Sequence, residues 1–325
     1  MQAASFLGDG RIEIVEQPVP APGPGEVRVR VVRCALCGSD LKLLRRGAGW
    51  VPGHEIMGVV ESAGHVLEGR RVLVYIPVFC GHCASCRAGD TQLCDVGTDL
   101  IGWNRPGGYA EALNVPEQCL LPVPDDIPTA LAPLLLDTIG TAAHAIRLAQ
   151  RVVADGPVLV LGAGPIGLGA ILAAQALGFG EIEVSEPRAH RREVALGLGA
   201  RPYDGGTRRF GLVLESSGHP EARQTGIEAV RPHGVAALIG ESETPWPFTE
   251  TKSIRRKDFW MLRSFYFPIG DFAANVTLLR DRMEAYVSLV DREVGLGGLE
   301  ATFRAFAAGE LIKPMLAINE GEEAR

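Results

Sequence analysis

The sequence has 325 residues, 46% of them apolar and 22% charged, with a formal net charge of −7. That length predicts about two domains with ample material for a core, and the acidic balance argues against nucleic acid or an anionic membrane as a partner. Seven cysteines, four tightly clustered, suit thiolate metal sites in a reducing compartment, the cytoplasm, better than disulfides. The amino end lacks a basic stretch and a long apolar core, so no signal peptide is expected.

Residues 1–33 read as short strands. Arg11 to Glu16 and Glu26 to Val32 alternate apolar and polar side chains, as half-buried β structure does. The proline-rich stretch from Pro18 to Gly25 is a stiff connection between them. An antiparallel, partly barrel-like first domain is expected. Cys34-Ala-Leu-Cys37-Gly-Ser39-Asp40 follows, a pair with metal or redox potential in which Cys34 could equally be a small buried residue. His54, in Gly53-His54-Glu55, stands 17 positions past Cys37 and taken alone could be structural. Residues 56–76 return to β-like alternation.

Cys80, Cys83, Cys86 and Cys94 are spaced x2, x2, x7. Four thiolates close a tetrahedral zinc site with no open position, which makes it structural. An iron–sulfur cluster is the rival, because three cysteines at these close spacings also occur in ferredoxin-type sites. The x7 spacing and the lack of a proline after Cys94 favour zinc. His82 reads as solvent-facing. Trp50, Phe79 and Trp103 are candidates for pocket lining or plain packing.

The proline cluster Leu121 to Pro128 marks a domain boundary. Thr129 to Gln150 reads as helical and holds Asp137 among apolar residues. A carboxylate there needs a partner, a hydrogen bond or a metal, or serves as a helix cap. Then Val158 to Leu161 meets Gly162-Ala-Gly164-Pro165-Ile166-Gly167 and a second apolar run. Strand, glycine turn and helix form the opening of a dinucleotide-binding unit. Gly162 permits the turn, Gly164 lets backbone approach a pyrophosphate, and Gly167 lets helix pack on strand. The helix N-terminus offers free N–H groups and a positive dipole end. Gly156 to Gly180 carries no charge, but its glycines and charged flanks fit a buried βαβ unit better than a membrane span.

Glu181 to Glu186 reads as the second strand of this unit. Glu186 lies 24 positions past Gly162, near where the motif places an acid for the ribose hydroxyls. Arg188, Arg191 and Arg192 could instead hold a 2′-phosphate or form a solvated helix face; NAD is preferred over NADP. Phe210 to Gly218, Val235 to Gly240 and Trp260 to Phe267 continue the βα alternation. An amphipathic helix, Leu299 to Ala308, and an extended segment to Ala317 close the chain.

Taken together, Cys37-Gly-Ser-Asp40, Gly53-His54-Glu55, the four-cysteine lobe, Gly107-Gly-Tyr-Ala-Glu111, Asp137, Gly162 to Gly167 and Gly309-Glu-Leu-Ile-Lys313 resemble the zinc-dependent medium-chain dehydrogenase/reductases, the alcohol and polyol dehydrogenases. The resemblance implies an α/β fold, with a Rossmann doubly wound parallel sheet over residues 129–268. Residues 1–128 and 269–325 would form a mainly β, GroES-like catalytic domain. It implies a catalytic zinc on Cys37, His54 and Asp137, with Glu55 beside the metal, and a structural zinc on Cys80, Cys83, Cys86 and Cys94. Asp40 would orient the ligand histidine and Ser39 would bond the substrate oxygen. Gly162, Gly164, Pro165, Ile166, Gly167, Glu186, Arg191 and Lys313 would hold the dinucleotide, Lys313 at its pyrophosphate.

The implied reaction moves a hydride between an alcohol, polyol or sugar-like hydroxyl and NAD(P), in a homodimer or homotetramer with a small-molecule alcohol or carbonyl as substrate. Lys42 departs from the pattern, because many relatives carry a relay histidine there. A zinc-binding regulatory or sensor protein with a non-catalytic Rossmann domain is the alternative reading.

Overall fold

Alternation of apolar and polar residues in the first third of the chain becomes antiparallel sheet. The computed structural model describes residues 1–97 and 99–319. The chain divides into two units, Met1–Leu136 with Pro268–Phe272 and Val287 onward, and Asp137–Phe267 with Ala273–Tyr286.

In the first unit the ten-residue strand Glu26–Ala35 is the spine of a sheet. One edge pairs over residues 29–35 with Glu55–Val60, with a register shift between Val31 and Arg33. The other edge is shared, residues 26–30 pairing with Ala112–Pro116 and residues 33–35 with Met315–Ala317. Arg71–Val74 and Leu120–Pro122 extend the sheet beyond Glu55–Val60, all antiparallel. Every residue of Glu55–Val60 is buried, so the expected half-buried alternation is replaced by a strand covered on both faces. A separate hairpin joins Gln2–Gly8 to Arg11–Glu16.

The second unit holds a six-stranded sheet in the spatial order Arg201–Pro202, Ile182–Ser185, Val158–Leu161, Phe210–Glu215, Val230–Leu238, Trp260–Arg263. Every neighbouring pair is parallel. Numbered along the chain this is 3-2-1-4-5-6, the doubly wound order that opens a crevice where the direction of winding reverses, beside Val158–Leu161. The central strand Val158–Leu161 is apolar and buried throughout, as expected where helices cover both faces of a parallel sheet. Leu159, Leu161, Phe210, Val213, Ala229 and Val230 form one buried cluster.

The expected helix from Thr129 to Gln150 is corrected. A 3₁₀ turn spans Ala132–Leu135, a wide π turn spans Asp137–Thr141, and regular α-helix runs only over Ala142–Gln150. Pro133 cannot donate into a preceding helical turn. The wide turn lets the Thr141 hydroxyl reach Asp137 Oδ1 at 3.0 Å. Single π turns of this kind concentrate at functional sites. Among the described residues no helix is long and apolar enough to cross a membrane.

Candidate functional site

The four clustered cysteines are all free, and their sulfurs lie within 4.8 Å of one another. Tight turns aim backbone donors at them. Cys80 Sγ accepts from the N–H groups of His82 and Cys83 at 3.4 and 3.3 Å. Cys83 Sγ accepts from Cys86 and Asp95, each at 3.4 Å, and Cys94 Sγ from Cys80 at 3.4 Å. Donors of this kind favour thiolate over thiol. Desolvation raises the Cys94 thiol, but backbone N–H groups of Cys80, Val96 and Gly97 outweigh it and bring the group down to about 6. Cys86 is pushed up to about 12 by desolvation and its thiol neighbours. Four sulfurs that cannot all ionise together unless a cation sits among them fit a tetrahedral Zn²⁺. His82 is exposed and its Nδ1 lies 2.9 Å from Cys80 O, outside the ligand set.

A second set holds Cys37, His54 and Glu55 in the first unit, again with ligand atoms within 4.8 Å of one another. Cys37 follows the spine strand, His54 immediately precedes the neighbouring strand Glu55–Val60 and Glu55 opens it, and Asp137 is the first residue of the second unit. One thiol, one imidazole and a carboxylate are donors suited to zinc. Asp40 is fully buried, on the first turn of the helix Asp40–Arg46. Its Oδ1 lies 3.1 Å from His54 Nδ1. Its Oδ2 accepts from Cys37 N–H at 3.1 Å and from the Tyr109 hydroxyl at 2.6 Å. Ser39 Oγ donates to Cys37 Sγ at 3.3 Å. Lys42 sits one turn into the same helix.

Glu55 and Lys313 are both fully buried and form an ion pair. The Lys313 ammonium also donates to Leu36 O at 3.2 Å. Lys313, which the resemblance places at the pyrophosphate, has its Nζ turned inward to the Glu55 carboxylate in this structure. Phe79 packs edge-on against Tyr75 with ring centroids 5.9 Å apart, and Arg46 stacks over Trp103 at 5.8 Å. Two of the three aromatic pocket candidates thus have packing partners.

In the second unit the glycine turn joins Val158–Leu161 to the twelve-residue helix Pro165–Ala176. Pro165 takes the first helical position, where its missing N–H costs nothing, and Ile166 follows it. A Cβ on Gly167 would lie 1.9 Å from Gly162 O, so only glycine lets the helix start this close to the strand. A Cβ on Gly164 would have Arg191 Nη1 at 3.8 Å as its nearest neighbour, which puts the Arg191 guanidinium beside the turn. Glu186 is buried, with Oε2 accepting from Ala163 N–H at 2.7 Å and Oε1 from Arg188 N–H at 2.9 Å. Arg192 is tied to backbone, donating to Glu186 O at 2.8 Å.

Two groups had no role assigned from the sequence. Tyr109 lies within the Gly107 to Glu111 stretch, which marks the resemblance without giving the tyrosine a task. Glu215 ends the strand Phe210–Glu215. Its Oε1 accepts from Ser217 N–H, the Ser217 hydroxyl and Gly218 N–H at 2.8, 2.6 and 2.8 Å. The loop so fixed carries Ser216, whose hydroxyl donates to Gly162 O at 2.8 Å. A buried carboxylate at a strand's C-terminal end was the available signal.

Residues 23–125 match the model of the alcohol dehydrogenase GroES-like domain. An L-threonine 3-dehydrogenase of Pyrococcus abyssi is 34% identical over 254 residues, covering 70% of this chain and 72% of that one. Among solved structures, an alcohol dehydrogenase from Thermus sp. ATN1 superposes with a TM-score of 0.89 at 28% identity, over 98% of this chain and 100% of its own. Galactitol-1-phosphate dehydrogenase from Escherichia coli does so with a TM-score of 0.88 at 26% identity, over 98% and 100%.

Proposed function

Because this chain belongs to the zinc-dependent medium-chain dehydrogenase/reductase family, as an NAD(P)-dependent dehydrogenase acting on CH–OH groups, we propose that it takes its hydroxyl substrate at Cys37, His54 and Asp137 and its dinucleotide at the turn Gly162 to Gly167. The observation that carries this reading is the convergence of the Cys37 thiol, the His54 imidazole and the Glu55 carboxylate within 4.8 Å, in a chain that also holds a four-thiol set. When bound, zinc would supply Lewis-acid polarisation of the substrate oxygen and the nicotinamide ring the hydride acceptor.

The chain's own residues do the rest. Cys37, His54 and Asp137 would hold the catalytic metal, with Glu55 as a further carboxylate next to His54 in sequence. Asp40, 3.1 Å from His54 Nδ1, holds the proton on that nitrogen and leaves Nε2 to ligate. Ser39 Oγ stands 3.3 Å from Cys37 Sγ, where it is placed to take the substrate's hydroxyl proton. No histidine stands at position 42 to carry that proton onward, so the relay beyond Ser39 runs by another route, with Lys42 as a candidate. Cys80, Cys83, Cys86 and Cys94 hold a second, structural zinc.

Helix N–H groups after Gly164 receive the pyrophosphate, and Arg191 adds a positive charge next to the turn. The Glu186 carboxylate, at the ribose end of the second strand, opposes a 2′-phosphate and supports NAD over NADP. The half-exposed Trp260 and Met261, 48% and 52% accessible on the edge strand Trp260–Arg263, support a homodimer or homotetramer. Seven free cysteines support the cytoplasm.

The test is absorbance of reduced nicotinamide across a panel of alcohols, polyols and L-threonine with NAD and with NADP, alongside zinc analysis. Turnover with two zinc ions per chain is expected, and Cys37→Ala or His54→Ala abolishes turnover while the fold persists. Undiminished turnover by metal-depleted Cys37→Ala would overturn the catalytic assignment.

A further inference from the structure

We infer that Tyr109 is a positioning residue for the metal-binding histidine, acting through Asp40. This rests on the reading of Cys37 and His54 as zinc ligands and goes beyond it. The contact between Asp40 and His54, at 3.1 Å, engages only one carboxylate oxygen, so it does not by itself fix which way the carboxylate faces. Two bonds on the far oxygen do so, from Cys37 N–H at 3.1 Å and from the Tyr109 hydroxyl at 2.6 Å. Tyr109 and Asp40 are both 0% exposed, so no water competes for either atom and the shorter bond sets the rotamer. Oδ1 is then held toward His54 Nδ1, which fixes the proton there.

Three features of the sequence exist to seat that ring. Gly53 has φ +98°, and a Cβ on it would lie 2.8 Å from Tyr109 ring atoms. The Tyr109 N–H donates to Pro52 O at 2.9 Å, and Gly108 N–H to Gly53 O at 2.8 Å, which ties the tyrosine's segment to the one carrying His54. Phe6 stacks on the ring at 5.9 Å and Phe303 meets it edge-on at 5.7 Å. The glycine before the histidine and the tyrosine after the glycine pair are thus two halves of one device, which delivers a single hydroxyl to Asp40. A ring held only for packing would not need its oxygen inside hydrogen-bond range of a buried carboxylate.

Tyr109→Phe keeps the ring and its packing and removes only the hydroxyl. Zinc release to a chelator is followed in the purified holoprotein, where the four-cysteine site serves as internal control. Release from the Cys37 site is expected to accelerate about tenfold, with the four-cysteine phase unchanged. In metal-free protein, histidine-selective nitrogen NMR should show His54 leaving its single Nδ1–H tautomer. Phe303→Leu, which loosens the ring without touching the bond, should lower the melting temperature and leave zinc release and tautomer as they were. Zinc release within about twofold of the parent together with an unchanged tautomer in Tyr109→Phe would overturn the proposal, as would an equal effect of Phe303→Leu. A parent chain that bound zinc only at the four cysteines would refute the catalytic-zinc reading, and the tautomer comparison would still decide the role of Tyr109.

Discussion

Replacing Lys313 with methionine removes the cation from an ion pair whose two side chains are both 0% exposed. Methionine fills nearly the same space, so little cavity opens, and the cost falls on what is stranded. The Glu55 carboxylate loses its counter-ion where no water reaches it. Leu36 O loses a donor at 3.2 Å. Breaking one side of a buried pair costs about 3–5 kcal/mol. At about 2–4 °C per kcal/mol for a unit of this size, melting should fall by roughly 6–20 °C. Pairing it with Glu55→Met removes both charges and should return stability to within about 1 kcal/mol of the parent, because a matched apolar pair replaces a matched ionic one. The assay is urea unfolding of the parent, both single variants and the double variant, analysed as a cycle. An unchanged unfolding midpoint for Lys313→Met, together with a raised KM for the dinucleotide, would refute the reasoning. The ammonium would then serve the pyrophosphate, as the sequence pattern suggested.

Cys83→Ala removes a sulfur that accepts from two backbone donors and belongs to the four-thiol set; it should lose one zinc per chain and about 3 kcal/mol or more of stability, read by metal analysis and calorimetry. Unchanged zinc content and melting would remove the structural assignment. Lys257 donates to Glu228 O and Val230 O at 2.8 and 2.9 Å, and burial, with Arg209 nearby, lowers its ammonium from the ordinary 10.5 to about 8. Between those two values the unfolded chain binds the extra proton, so this group's contribution makes stability rise with pH across that window. Acylation of Lys257 should accordingly reach half its maximal rate near pH 8, followed by mass spectrometry, with buried Lys313 unlabelled in the native protein. Half-maximal labelling of Lys257 only near the ordinary lysine value would contradict the burial argument.

How far the sequence could be read depended on whether a residue's task is local. Gly162, Gly164 and Gly167 serve a turn built from their own neighbours, and the four cysteines close a site within fifteen residues, so spacing alone exposed both. The βα alternation is legible for the same reason, whereas the spatial strand order 3-2-1-4-5-6 comes from the structure. Lys313 was legible as a cation but not in its direction. Glu55 is 258 positions away, and no periodicity links a carboxylate at the start of one strand to an ammonium before another. The π turn at Asp137–Thr141 hid inside a helical pattern, because composition does not distinguish a regular turn from one widened by a Thr141–Asp137 bond. Tyr109 shows the limit most clearly. The motif Gly107 to Glu111 marks a resemblance without giving the tyrosine a role, and the buried ring alone would pass for packing. The hydroxyl that reaches Asp40, 69 positions away, has meaning only once Gly53 has made room for the ring. A residue whose function is carried by one atom, while its packing explains all the others, leaves a sequence signal that packing alone accounts for.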